Sequence, residues 1–124
     1  MTINEAITKT DELKPNSYPY LTKVKWLSTI DERVRHLMDR YADAERADDN
    51  LLPYDEQTDP NALLLLPSAF DELYVHYISA QIDYFNEEYD RFNNSNAMFD
   101  GVWGDFERWY NRNHTPYGCK NVYF

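Results

Sequence analysis

Between Leu63 and Pro116 the chain gathers most of its aromatic residues into helix-length patterns, and any fold containing that stretch has to give the rings neighbours on more than one side. Phe70, Leu73, Tyr77, Ala80 and Tyr84 recur at alternating spacings of three and four, and so do Ile78, Ile82, Phe85, Tyr89 and Phe92. That spacing belongs to an α-helix, and two such stripes on one helix predict a rod sandwiched between two packing partners. Ser68 is placed to cap its start, Asp71 and Glu72 fall where the helix dipole favours negative charge, and the pattern runs to about Asn93. Glu72, His76, Ser79, Asp83, Asn86 and Asp90 fall between the stripes and are expected to form a polar ridge facing water.

Asn93-Asn94-Ser95 breaks the pattern, with Asn suited to a helix C-terminus and Ser95 to the next N-cap, which predicts a helical hairpin. Its second arm carries the stripe Phe99, Trp103, Phe106 and Tyr110, widened by Val102 and Trp109 and ended by Pro116 and Gly118. Gly101 and Gly104 lie inside this arm at about 1 kcal/mol each against Ala, and suggest either a close helix crossing or a kink.

Upstream, Thr2 and Glu5 have capping-box spacing, and Ile3, Ala6, Ile7 and Leu13 give a short helix that stops at Pro15. Pro19 suits a first helical turn, and Leu27, Ile30, Val34, Leu37 and Tyr41 mark an amphipathic helix whose other side carries Lys23, Lys25, Arg33, Arg35 and Arg40. Asp48 to Pro60 reads as an acidic loop within one domain. Ala62 to Leu66, stopped by Pro67, reads as a short extended segment plugging onto the helices, or as a lone edge strand. The expected architecture is all-α: a small bundle of about four helices with a long central hairpin and one extended segment. It forms a single domain over 1–124, divided into an N-terminal helical part (14–47), the loop and extended segment (48–67), the hairpin (68–116) and a tail (117–124).

At 124 residues one core is the default. The lone cysteine, Cys119, has no disulfide partner and no zinc-ligand cluster, which fits a reducing compartment. The longest apolar run, Ala62 to Leu66, is far short of the roughly 20 residues that span a bilayer, and no signal pattern opens the chain. A formal charge of −10 argues against direct nucleic-acid binding. No Lys or Arg occurs from Ala47 to Asp90, where eleven acidic residues fall, a block that keeps a protein soluble or steers a basic partner.

Catalytic and metal-binding patterns are missing. Glu32 with His36 and Glu72 with His76 are helix-face pairs, but neither is a recognised ligand set, and no Glu-x-x-His occurs. Phosphate loops, nucleophile elbows and zinc-protease motifs are likewise absent. The expectation is a non-enzyme without cofactor or metal. Eleven Tyr, six Phe and three Trp exceed what a small domain readily hides, so some aromatic surface is expected at a partner or self-association interface. The residues singled out for that interface are Tyr74, Tyr84, Tyr89, Trp103, Trp109 and Tyr110.

Lys25-Trp26-Leu27, Ile30-Asp31, Phe70-Asp71-Glu72-Leu73-Tyr74, Gln81-Ile82-Asp83-Tyr84, Arg91-Phe92-Asn93-Asn94-Ser95, Met98-Phe99 and Trp109-Tyr110-Asn111-Arg112 together resemble a family of small proteins encoded by phages and prophages of Gram-positive bacteria, over roughly Leu13 to Pro116. Gly101, Gly104 and the Tyr117 to Phe124 tail depart from that pattern. The resemblance implies a virion or assembly protein, similar in helical layout to the head-tail connector (adaptor) proteins that form rings under the portal. Its implied partners are further copies of itself and portal or neck proteins, and its implied location is the host cytoplasm during assembly and then the virion. A different class of function is an acidic phage protein whose carboxylates imitate DNA phosphates and inhibit a host DNA-binding protein.

Overall fold

The computed structural model of the chain describes residues 1–41 and 51–114; the tail, Asp48 to Asn50 and the expected stop at Pro116 and Gly118 lie outside the described residues. Among the described residues four α-helices form an all-α bundle: α1 (Ile3–Leu13), α2 (Tyr20–Met38), α3 (Glu72–Phe85) and α4 (Tyr89–Asn113). No helix is long and apolar enough to cross a membrane among these residues. Helix α3 packs on α4, α1 and α2, although the rod expected over residues 70 to 92 is shorter than its stripes predict.

Helix α1 starts as its capping box requires. Thr2 Oγ1 accepts from the Glu5 N–H at 3.1 Å, and Glu5 Oε1 accepts from the Thr2 N–H at 3.0 Å. The Thr2 backbone N–H, and after it the Thr2 hydroxyl, hold the Glu5 carboxylate below the usual range. The first two orphan donors of the helix, the Ile3 and Asn4 N–H groups, donate to the carbonyls of Ala62 and Pro60 at 3.1 and 2.9 Å. An antiparallel bridge between Thr2 and Leu63 continues this seam. The segment from Ala62 to Leu66 is thus extended, as expected, but it pairs with the start of α1 rather than offering an open strand edge, and it buries Leu64 and Leu66.

Helix α2 buries Val24, Leu27, Ile30, Val34 and Leu37 as its spacing predicts. One residue expected on the outer side moves inward. Lys23 is only 4% exposed, and its Nζ sits 2.8 Å from Asp11 Oδ1, so it bridges α1 and α2 instead of facing solvent. The buried stripe also contains a carboxylate. Asp31, one position after Ile30 and three before Val34, is fully buried.

Three hydrogen bonds converge on Asp31. Tyr74 donates its hydroxyl to Oδ1 at 2.6 Å, while Tyr54 Oη–H and the Leu65 N–H donate to Oδ2 at 2.5 and 3.1 Å. Tyr74 Oη in turn accepts from the Leu66 N–H at 2.9 Å, and the Tyr54 N–H donates to Ser28 Oγ at 3.0 Å. One helix side chain therefore satisfies the backbone of the extended segment and fastens α2 to α3. Burial pushes the Asp31 carboxyl up to about 6, against the three hydrogen bonds, which favour the anion. The same burial and the neighbouring carboxylate raise both tyrosine hydroxyls above their usual range.

The hairpin departs from its expected form in where it turns. Ser68–Phe70 is a separate 3-10 turn, and α3 begins at Glu72 behind Asp71, whose side chain makes no capping bond. Helix α3 ends at Phe85, not near Asn93, and the stripe Ile78, Ile82, Phe85, Tyr89, Phe92 is split between two helices. The Glu88 N–H donates to the Asp83 carbonyl at 2.9 Å and the Glu87 N–H to the Tyr84 carbonyl at 3.0 Å, with Glu87 at φ 61°. This is the Schellman arrangement, with a glutamate in the left-handed position glycine usually fills. Asn93-Asn94-Ser95 is helical, inside α4.

Two polar residues of the expected water-facing ridge are core residues. Ser79 is buried, and Asp83 is 1% exposed, taking Lys14 Nζ at 2.5 Å on Oδ1 and the Ser95 hydroxyl at 2.8 Å on Oδ2. In place of capping a helix, Ser95 ties α4 to α3 and, through Asp83, to the residue that ends α1. The stripe Phe99, Trp103, Phe106 and Tyr110 is buried as expected. The glycines mark no close crossing: a Cβ on Gly101 would meet nothing within 4 Å, and one on Gly104 would meet only the Arg108 guanidinium at 3.3 Å.

Removing single members of these polar junctions has distinct expected costs. Tyr74→Phe strands both the Leu66 N–H and Asp31 Oδ1, and is expected to cost about 2–4 kcal/mol in urea unfolding; Tyr54→Phe leaves Oδ2 its Leu65 donor and should cost about half as much. Because the folded carboxyl of Asp31 is raised from 3.8 to about 6, the native state binds its proton first as pH falls. Its contribution to stability therefore rises as pH drops from about 6 to about 4, by on the order of 3 kcal/mol, and is flat above. The difference in unfolding free energy between the parent and Asp31→Asn, measured across that window, should show this slope, and parallel curves would disprove it. Glu87→Gly relieves the left-handed strain and should raise stability by about 1 kcal/mol.

Candidate functional site

The turn between α3 and α4 leaves an aromatic surface open. Tyr84 and Phe85 end α3, Tyr89 begins α4 and Phe92 follows one turn later, so the reversal at Glu87 folds the four rings toward one another. Tyr84 lies 5.3 Å from Phe85, 6.3 Å from Tyr89 and 5.5 Å from Phe92 between ring centroids, in each case edge to face. Phe85 stacks on Trp26 of α2 at 5.9 Å, and Trp26 meets Tyr18 edge-on at 5.7 Å. The Tyr18 hydroxyl donates to Asn86 Oδ1 at 2.7 Å, locking the loop before α2 to the turn. The result is a continuous belt of six rings at one end of the bundle.

This belt is only half covered. Tyr84 is 50% exposed, Phe85 55% and Tyr89 55%, whereas Trp26, Tyr18 and Phe92 are partly buried behind them. A contiguous exposed apolar surface on a small domain is a candidate contact site. Tyr and Trp suit such surfaces because they cover large area with few rotatable bonds. A shallow depression of about 520 Å³ adjoins the belt, lined by Glu87, Glu88, Tyr89, Asp90 and Arg91. Arg91 is committed to Glu88 at 3.0 Å, while Glu87 and Asp90 have no ion-pair partner among the described residues.

Of the six residues expected at an interface, Tyr84 and Tyr89 lie on this surface. Tyr74, Trp103 and Tyr110 do not: they are 0%, 8% and 3% exposed and belong to the core of the bundle. Tyr74 is held there by Asp31, Trp103 is covered by Arg33, whose guanidinium carbon lies 4.2 Å from its ring centroid, and Tyr110 is stacked 3.8 Å from His114. Trp109 is half-buried among Phe70, Phe106, Tyr110 and His114, at the far end of α4. Phe85, Trp26 and Tyr18 fall outside the set expected from sequence. Nothing local in the sequence marks Trp26 and Tyr18, which meet Phe85 and Asn86 only through the fold.

Two polar clusters elsewhere have the residue types of chemistry but not its access. Asp31 has both oxygens occupied and no exposed surface, so it can neither meet a substrate nor exchange a proton with one. Ser95 donates to Asp83 beside Lys14, an arrangement that fastens three helices and places no base on an open nucleophile. Neither Glu32 with His36 nor Glu72 with His76 closes into an ion pair, and no group of three or more metal-ligating side chains occurs among the described residues. Comparison with protein-family models, with curated proteins and with solved structures finds no match to this chain.

Proposed function

We propose that this chain is a non-enzymatic structural or assembly protein of a phage, a subunit of head-tail connector (adaptor) type that acts through protein–protein contacts made by the aromatic tip of its α3–α4 hairpin. The observation that carries the contact role is the half-exposed belt of Tyr84, Phe85 and Tyr89, already packed edge to face before any partner arrives. Rings fixed in this way lose little conformational freedom on binding. The phage assignment rests on the resemblance over Leu13 to Pro116. The partners are then further copies of the chain in a ring, built from heterologous contacts, and portal or neck proteins, met in the host cytoplasm and retained in the virion.

The acidic block supports DNA mimicry less well. One of its carboxylates, Asp83, is buried against Lys14 and Ser95 and so is withdrawn from any exposed face.

Tyr84→Ser with Tyr89→Ser is expected to leave the helical content unchanged and to weaken association with the phage structural partners by about 30-fold or more, as loss of interface anchors does. Mass spectrometry of purified virions should find the parent protein at a stoichiometry near that of the portal and the double variant depleted. Virions that lack the parent protein, or its recovery with a host DNA-binding protein alone, would refute the assignment.

A further inference from the structure

We propose that the tip receives a basic segment of a protein partner, in which arginine or lysine side chains flank an apolar anchor and lie over the rings of Tyr84, Phe85 and Tyr89. This rests on the tip being the contact surface, and adds the chemistry of what covers it.

The charges around the belt select the occupant. Glu87, Glu88 and Asp90 crowd the turn, and Arg91, which lines the same depression, is spent on Glu88. A second copy meeting the tip about a two-fold axis would set Glu87 and Asp90 against their own counterparts, and like charges across a contact disfavour it. An anionic lipid surface meets the same repulsion. A cationic segment gains twice, from the two unpaired carboxylates and from the negative faces of the rings. The subunit already uses this chemistry in its own packing, where Arg33 sits 4.2 Å from the Trp103 centroid and 5.7 Å from that of Phe99. At the tip the rings and carboxylates are in place, and no cation lies over Tyr84, Phe85 or Tyr89 among the described residues.

The test uses the full chain and a synthetic peptide of alternating arginine and leucine, followed by amide chemical shifts, with a glutamine-for-arginine peptide alongside. Binding is expected to shift residues 84 to 92, to weaken about tenfold in Glu87→Gln with Asp90→Asn and again in about 0.5 M salt, and to be lost in Tyr84→Ser with Tyr89→Ser, which leaves the net charge unchanged. Equal binding of the glutamine peptide, undiminished binding to the Gln/Asn variant, or retention by the Ser variant would overturn it. A two-fold dimer of the pure protein, closed tip to tip and lost in the Ser variant in sedimentation, would overturn it too. The virion assay separates the two claims. If the Ser variant is excluded but the Gln/Asn variant is incorporated normally, the tip remains the contact and the basic occupant is wrong; if the Ser variant is incorporated normally, the tip itself is wrong.

Discussion

A single buried carboxylate organises the centre of this bundle. Asp31 lies on the core-facing stripe of α2, where the bare cost of an ionised group is several kcal/mol, and it is tolerated because three donors from different parts of the chain meet on it. Two of those donors, Tyr54 and Leu65, belong to the irregular stretch before α3, which also places Tyr54, Leu64 and Leu66 in the core. The third, Tyr74, relays the interaction to the Leu66 N–H. With the carbonyls of Pro60 and Ala62 capping α1, the polar groups of this segment satisfy helix ends and side chains, and a stretch without regular structure becomes one wall of the core.

Asp83 does the corresponding work at the other end of α3. It receives Lys14 from the end of α1 and Ser95 from α4, and its own carbonyl takes the Glu88 N–H that closes the turn. Helix α3 is therefore fixed along its length by apolar packing and near each end by a polar junction, and its orientation between α4 and the α1–α2 pair is specified rather than merely favoured. Hydrophobic stripes alone tolerate sliding and rotation, whereas a buried carboxylate without its donors is heavily penalised. That difference holds the tip rings in register with Trp26 and Tyr18.

Periodicity makes the apolar stripes legible in the sequence. Leu27, Ile30, Val34 and Leu37, and likewise Phe99, Trp103, Phe106 and Tyr110, announce their burial through spacing alone, and Thr2 with Glu5 announces its cap. The polar junctions are not legible in the same way, because their partners lie 23, 43 and 69 residues apart and a carboxylate normally reads as solvent-facing. A partial signal exists in Asp31, which is four residues after Leu27 and three before Val34, squarely within an apolar stripe. The turn at residues 86–88 is hidden for a different reason. Apolar residues continue across it at helical spacing, and the left-handed position is occupied by Glu87 where a glycine would have marked it.

The hidden turn is also what makes the surface. Had the helix continued through Glu87 to Asn93, Phe85, Tyr89 and Phe92 would lie along one seam and be covered by the same neighbour as Ile78 and Ile82. Reversal at Glu87 instead sends Tyr89 and Phe92 back along α4, where their rings meet Tyr84 from the outer side, and the seam is cut off from the core at the point where it is richest in aromatics. The core closes over Ile82 and Asp83; the residues just beyond have no covering element and stay half exposed. Surface aromatics here are thus a consequence of where the chain turns, and the left-handed glutamate that sets the turn adds its own negative charge beside the rings it exposes.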